Sequence, residues 1–473
     1  MARAPLPSLL LALFLAAGAR AQGAPASDVA DAAPADPPEP LVIVQALRPA
    51  GLRIAVRDRP GTELVLFQAN VNLPIDEGTQ RGQLSGNVLE PADGFWTLHL
   101  PEPVIKVGDV IFYWIHVRVN KHGYTYPTKI AKITARQDES CLPSITTFNG
   151  KTACKGQLIA EENFNSLESS TWEHTIQFPN IHNPYFSIYT ASLENSFAEN
   201  GILHLRPSQV PDDIVNGALT LEGCTGQRDT RDCSRRAAAW DVLPAVYSAW
   251  LRSRDAFRFG RVEVRAKLAV GDWILNHIWL QRADAALEEG VQETARVSLA
   301  FLRGNANLTW DNGTAIGASR LSPGVVLGYC YRKLALGMEC DVEGDGLWTD
   351  DFHVFGVTWS PEEVVFGMDG HEIYTLRPPD EGFTLLPFFE DCPRHARGKI
   401  APLDQEMYLN IALHVGGSHE FPSGVTSRGL PKPWNDKDPK ANLNFWKEKN
   451  QWLPTWSLQK SEMKIDWIRI WAL

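Results

Sequence analysis

Short β-prone runs, each closed off after a few residues by Pro, Gly, Asp or Asn, recur along most of this 473-residue chain, and no long stretch holds a 3.6-residue apolar period. That punctuation predicts an all-β protein. From Leu41 to about Arg136 the runs Val42-Ile43-Val44, 52–56, 64–67, 95–100 and 110–119 follow one another at the spacing of a small antiparallel sandwich of the immunoglobulin-like kind. Further runs at 261–267, 352–359 and 364–370, the last ending in Asp369-Gly370, predict a second, larger β-sandwich. No repeat of 20–50 residues is present. The expected organisation is a binding-module-sized unit at 41–136, a cysteine-bearing linker at 137–155 and a large unit at 156–473.

The N-terminus predicts where the protein goes. Arg3, the apolar run 9–17 and Ala19-Arg20-Ala21 read as a signal peptide over residues 1–21, and the Ala, Pro and Asp of 22–40 as a flexible mature N-terminus. No later stretch approaches the ~20 apolar residues of a membrane span. A soluble, secreted, extracellular protein is expected. In an oxidising compartment cysteines become candidate staples, and Cys141/Cys154, Cys224/Cys233 and Cys330/Cys340 lie close in sequence, leaving Cys392 over. Spacing alone leaves the connectivity open. With no Cys-x-x-Cys pair, neither a metal nor a cofactor is implied. The sequons at Asn307 and Asn312 suit a secreted glycoprotein.

Charge then narrows the ligand. A formal net charge of −11 with no Lys/Arg block argues against nucleic acid, which needs clustered positive charge. Sixteen tryptophans suit cores but also sugar platforms, where a flat apolar face carries a polar edge.

Several ordered segments carry a resemblance. The runs 257–268, Gly271-Asp272-Trp273-Ile274, Trp279-Leu280, 351–359, Asn410-Ile411-Ala412 with Val415-Gly416-Gly417, and the ending 444–471 resemble laminarinase-type glycoside hydrolases of family 16, over about residues 160–473. The resemblance implies a β-jelly roll with a concave glucan groove. Gly94-Phe95-Trp96, Phe112-Tyr113-Trp114, Asn120 and Gly123-Tyr124 resemble the N-terminal glucan-binding module attached to arthropod members. Together the two units resemble the β-1,3-glucan recognition proteins, also called Gram-negative bacteria-binding proteins, of invertebrate innate immunity.

A retaining glycosidase needs two carboxylates ~5 Å apart. Active relatives carry Glu-x-Asp-x-x-Glu shortly before Arg-Gly-Asn. Counting back from Arg303-Gly304-Asn305, those positions hold Arg296, Ser298 and Phe301. Alternation would put the first two on one face and a bulge would return the third to it. Arginine is a permanent cation that cannot serve as nucleophile or base, and phenylalanine has no proton to give. The alternative is an active endo-β-1,3-glucanase using a displaced pair, Glu288 and Glu293, although their surroundings read as a solvated acidic loop. Leu275-Asn276-His277 replaces the Trp-Pro-Ala of active relatives, removing an aromatic platform at Leu275. For His277 and His414 a structural, hydrogen-bonding role is expected.

By the resemblance, glucan contacts fall on Trp114, on His116 two residues along the same face, on Tyr124 and on Asp58. Alternation requires one of Tyr113 and Trp114 to face out of the sandwich. The implied function is that of a pattern-recognition protein of the haemolymph. It would bind β-1,3-glucan without hydrolysing it and trigger a modular serine protease cascade of prophenoloxidase or Toll type. Lipopolysaccharide or lipoteichoic acid is a lesser candidate, because the acidic balance disfavours anions. A structural or storage protein with no glucan affinity is the remaining class.

Overall fold

A computed structural model describes residues 39–78, 81–138, 140–179, 185–227, 230–282, 295–329, 332–342, 346–392 and 398–473. The expected signal peptide and residues 22–38 lie outside these, as do Glu288, Glu293 and Cys330. Among the described residues no helix is long and apolar enough to cross a membrane.

The first sandwich is built from β1 (Val42–Arg48), β2 (Leu52–Arg57), β3 (Thr62–Val71), β4 (Leu84–Val88), β5 (Phe95–Leu100), β6 (Val110–Val119), β7 (His122–Lys132) and β8 (Arg136–Asp138). They form two four-stranded sheets, ordered β5-β2-β1-β8 and β4-β3-β6-β7. Alternation supplies the core between them: Leu52, Ile54 and Val56 of one sheet meet Val65, Phe67, Ile111, Ile115 and Val117 of the other.

The sheet holding β2 is buried on its far side as well. Ile43, Ala55 and Phe95, which point away from the small core, are part of the same buried cluster as the large sandwich. Polar groups in that seam are paired: the Arg53 guanidinium donates to the Cys141 carbonyl and to Gln45 Oε1. This explains why β2 is buried on five successive residues, where a half-solvated strand would alternate.

Residues 137–155 are not a linker. β8 lies parallel to β1, while β9 (Pro143–Phe148) and β10 (Lys151–Cys154) form a hairpin on the edge of the large sheet, with Phe148 opposite Phe257. The β-branched Ile145-Thr146-Thr147 favours a strand. Asn149 and Gly150, at φ +49° and +71°, make the two-residue turn that closes it.

The large sandwich stacks an eleven-stranded sheet on an eight-stranded one, counted over the described residues. In the first, Trp250–Arg258, Met407–Val415, Ile274–Arg282 and Arg296–Arg303 are successive neighbours. In the second, Met463–Trp471, Gly260–Lys267 and His353–Trp359 are the central run. Ile278, Leu280, Val297, Leu299, Leu409 and Ile411 from one sheet pack on Val262, Val264, Ile465, Ile468 and Val357 from the other. The all-β expectation holds in both units.

Two expected disulfides form, Cys141–Cys154 and Cys224–Cys233. The third is a correction. Cys340 is a free, buried thiol, whereas Cys392 is disulfide-bonded to a partner outside the described residues. The strand Arg332–Gly337 precedes Cys340. A strand of six extended residues covers about 20 Å, so nearness along the chain is a poor guide to a partner across it. Iodoacetamide added to the unfolded, unreduced protein should alkylate Cys340 and leave Cys392 untouched; a labelled Cys392 with a protected Cys340 would restore the pairing expected from spacing.

Candidate functional site

Two faces hold the sequence-predicted site residues. On β6 the side chains divide by alternation. Ile111, Tyr113, Ile115 and Val117 point into the small core, and burial pushes the Tyr113 hydroxyl up to about 12. Trp114 and His116 therefore share the outer face, opposite Gln68 and Leu66 of β3. His116 Nδ1 is hydrogen-bonded to Thr125 Oγ1 at 2.8 Å. Its ring lies so close to Gly123 that an added Cβ there would come within 2.7 Å, so glycine is required for the imidazole to lie flat along β7.

Trp114 is nevertheless only 8% exposed. The segment after β3 spans the outer face: Asn70 donates to the Pro74 carbonyl, Thr128 Oγ1 to the Ile75 carbonyl, and Gly78 lies against Thr125. Beneath it the Trp114 indole N–H is buried with no hydrogen-bond partner among the described residues, and a buried donor left unmet costs about 1–3 kcal/mol.

The other two predicted contacts lie elsewhere. Tyr124 is paired with Val117, which places it on the core side of the sheet, away from Trp114. Asp58 is exposed in the β2–β3 turn, where its Oδ1 accepts the Trp96 indole N–H at 2.6 Å. Gln68, the cross-strand neighbour of Trp114, was missed; the alternation of β3 was the signal that points it outward, and its Oε1 accepts the Gly82 N–H at 2.8 Å.

The second face is the side of the large sheet turned away from the shared core. A bulge in the pairing of Ile274–Arg282 with Arg296–Arg303 sets His277 opposite Phe301, Trp279 opposite Ser298 and Gln281 opposite Arg296. Arg296, Ser298 and Phe301 thus lie in one row, the geometry that a carboxylate triad would need, with no carboxylate in it. His277 Nε2 is hydrogen-bonded to Ser298 Oγ at 3.0 Å and its ring stacks on Trp279 at 4.0 Å. His414 stacks on Tyr185 at 3.9 Å and its Nδ1 is hydrogen-bonded to the Tyr189 hydroxyl. Trp250 Nε1 donates to Asn410 at 3.0 Å and Trp279 Nε1 to Gln281 at 2.9 Å.

The middle of this face is filled: His277, Trp279, His414 and Asn410 are all at most 3% exposed, and Ser298 is 7% exposed. Burial first, then the Arg296 guanidinium, pushes His414 down to about 3 and His277 well below the ordinary imidazole range. Both are neutral at every physiological pH. Leu275 is fully buried in an aromatic cluster with Trp273 and Phe421. Among the described residues no cluster of His, Cys, Asp or Glu suits a metal. Asn307 and Asn312 are both exposed, and Asn312 Oδ1 accepts the Thr314 N–H at 3.0 Å.

These two faces, on one chain, define a two-sandwich protein with a largely covered Trp114 face on the small sandwich and, on the large one, a row of Arg296, Ser298 and Phe301 that holds no carboxylate. Residues 32–146 match the family model described as a carbohydrate binding domain (family 32). The chain is 31% identical over 469 residues to a β-1,3-glucan-binding protein of Hyphantria cunea, covering 92% of this chain and 95% of that one. It is 28% identical to a β-1,3-glucan-binding protein of Tenebrio molitor (92% and 96% covered) and 26% identical to Gram-negative bacteria-binding protein 1 of Drosophila melanogaster (89% and 93%). Among solved structures, the laminarinase catalytic domain from Thermotoga maritima is 18% identical, spans 67% of this chain and 98% of its own, and has a TM-score of 0.42. The chain belongs to the β-1,3-glucan-binding protein family.

The buried histidines make a testable link to stability. Unfolded, each imidazole takes up a proton near pH 6.5; folded, His414 does so only near 3. The unfolded chain binds more protons below pH 6.5, so stability falls as the pH drops, by about 1.4 kcal/mol per unit for each such histidine. His174, also pushed down by burial, adds to the same window, whereas Glu462, held low by Lys464 and Arg206 against its burial, loses its contribution only at lower pH. Urea unfolding between pH 6.5 and 4.5 should show a shallower pH dependence for His414→Gln than for the native chain. Equal slopes would mean that His414 titrates normally.

Proposed function

We propose that the protein is a secreted, non-hydrolytic recognition protein that holds β-1,3-glucan on the outer face of its small sandwich. The observation that carries this reading is the Trp114 face itself, which presents a buried indole N–H with no partner among the described residues, in a segment matching a carbohydrate binding domain. A glucan offers C–H faces to the indole ring and hydroxyls to its N–H, to His116 and to Gln68, and no charge has to be matched. Because Trp114 is covered, binding displaces residues 73–78, and the strand scaffold stays in place.

Loss of hydrolysis follows from chemistry and from space. Arg296, Ser298 and Phe301 supply neither nucleophile nor acid, and the buried His277 and His414 fill the depth where a sugar ring would have to sit. The relatives from Hyphantria cunea and Tenebrio molitor are named for binding glucan, in keeping with this. Neutral glucan remains a better match than lipopolysaccharide or lipoteichoic acid for a chain of net charge −11. Protease recruitment comes from the family resemblance alone, and no residue of this chain is assigned to it.

Pull-down of the full chain on insoluble β-1,3-glucan tests the binding half. Trp114→Ala should weaken retention at least tenfold, and His116→Ala, a milder change at a half-buried position, several-fold. Retention unchanged in both folded variants would move the site off this face. Incubation with soluble β-1,3-glucan should release no reducing ends; turnover that disappears in Glu288→Gln or Glu293→Gln would establish the displaced carboxylate pair instead.

A further inference from the structure

We infer that the large sandwich carries a second saccharide site, a cavity of about 260 Å³ beside the small sheet of Leu308–Trp310, Val425–Ser427 and Leu430–Pro431, shaped for one pyranose ring. Its lining includes none of Arg296, Ser298 and Phe301, and it does not depend on the Trp114 face.

Size and chemistry both select the occupant. The volume falls below the ~300–1,000 Å³ of sites for drug-sized ligands, which suits a small occupant such as a single ring. Val425 and Trp434 give the floor an apolar character, while Asp311, Ser423, Pro431 and Asn435 stand exposed around the rim. A carboxylate, an amide and a hydroxyl converging on a small apolar floor are the groups that take vicinal hydroxyls above a C–H face.

The one cation in the lining is already used. Lys432 Nζ donates to Asp436 Oδ1 at 2.7 Å and to the Phe421 carbonyl at 2.8 Å, and its side chain is 3% exposed. With that charge neutralised and Asp311 at the rim, an anion is disfavoured and a neutral sugar fits. Trp434 is fixed from below by Trp273, Phe421 and Phe445 and by its own N–H donated to the Gly417 carbonyl, so the floor is rigid. Trp310, cross-strand partner of Val425 and 37% exposed, offers an aromatic face beside the cavity.

A pyranose can come from two sources: a free glucan chain, or an N-glycan on Asn312, the residue after Asp311. Hydrogen exchange of the full chain, read by mass spectrometry, separates them. Laminaritriose added to unglycosylated Asn312→Gln protein should slow exchange at least threefold over residues 421–436, and Asp311→Ala with Asn435→Ala, both at exposed positions, should abolish that protection. If the glycosylated chain already shows the protection without added sugar, and Asn312→Gln removes it, the protein's own glycan is the occupant and the site stands. Absence of protection in both proteins, or protection that survives the double substitution, overturns the proposal. Peptides over residues 110–128 report the Trp114 face in the same experiment, so failure of one site is distinguishable from failure of the other.

Discussion

One buried carboxylate ties the large sandwich together. Asp272 is 4% exposed and accepts from Arg428 Nε and Nη2 at 3.1 and 2.9 Å, from Ser427 Oγ at 2.8 Å and from Asn305 Nδ2 at 3.3 Å. Its backbone N–H donates to Thr455 Oγ1, and its carbonyl accepts the Trp456 indole N–H. Four segments distant in sequence therefore meet at one residue. Asn305 in turn accepts the Trp273 N–H, holding Trp273 at φ +66°, and the ion pair holds Arg428 at φ +52° in a tight turn. Removing one partner of such a pair leaves an uncompensated buried charge, which costs far more than the pair itself contributes. Gly271-Asp272-Trp273 and Arg303-Gly304-Asn305 thus have a structural task of their own, independent of any carboxylate in the row: they hold the loops.

The same accounting applies to the row. A face that opens to solvent can leave polar groups to water, whereas a filled one must pair them. His277 with Ser298, His414 with Tyr189, Trp250 with Asn410 and Trp279 with Gln281 are such pairs. Serine at 298 and phenylalanine at 301 are thus accommodated by a neutral His277, which bonds the first and meets the second edge-on at 5.3 Å. Arg296 reinforces that neutrality, since a second positive charge beside its guanidinium would be repelled.

Much of this was legible in the sequence, because β periodicity reports directly on which face a side chain takes. The small sandwich, the opposite facing of Tyr113 and Trp114, the shared face of Trp114 and His116 and the common face of Arg296, Ser298 and Phe301 follow from alternation and one bulge. What the sequence hid is non-local. Residues 137–155 read as a linker because nothing nearby told that the Asn149-Gly150 turn joins two strands, which extend a sheet whose next strand is more than a hundred residues away. Tyr124 was placed by likeness of a motif, and its pairing with the inward Val117, next to His116 opposite Thr125, puts it on the other face. The cover over Trp114 comes from a loop with no pattern of its own. Cys340 and Cys392 were assigned by distance along the chain, a poor guide once a full strand intervenes.

The seam between the sandwiches bears on how recognition could be transmitted. If 137–155 were a flexible tether, glucan held by the small sandwich would leave the large one free to tumble, and nothing about the bound state would be passed on. Instead Ile43, Ala55 and Phe95 are buried in the large core, Arg53 reaches the Cys141 carbonyl, and the disulfide Cys141–Cys154 closes the β9–β10 hairpin beside them. The described residues form one compact unit. The two sandwiches therefore keep a fixed relation, so whatever holds the outer face of the small sandwich also sets the orientation of the large one.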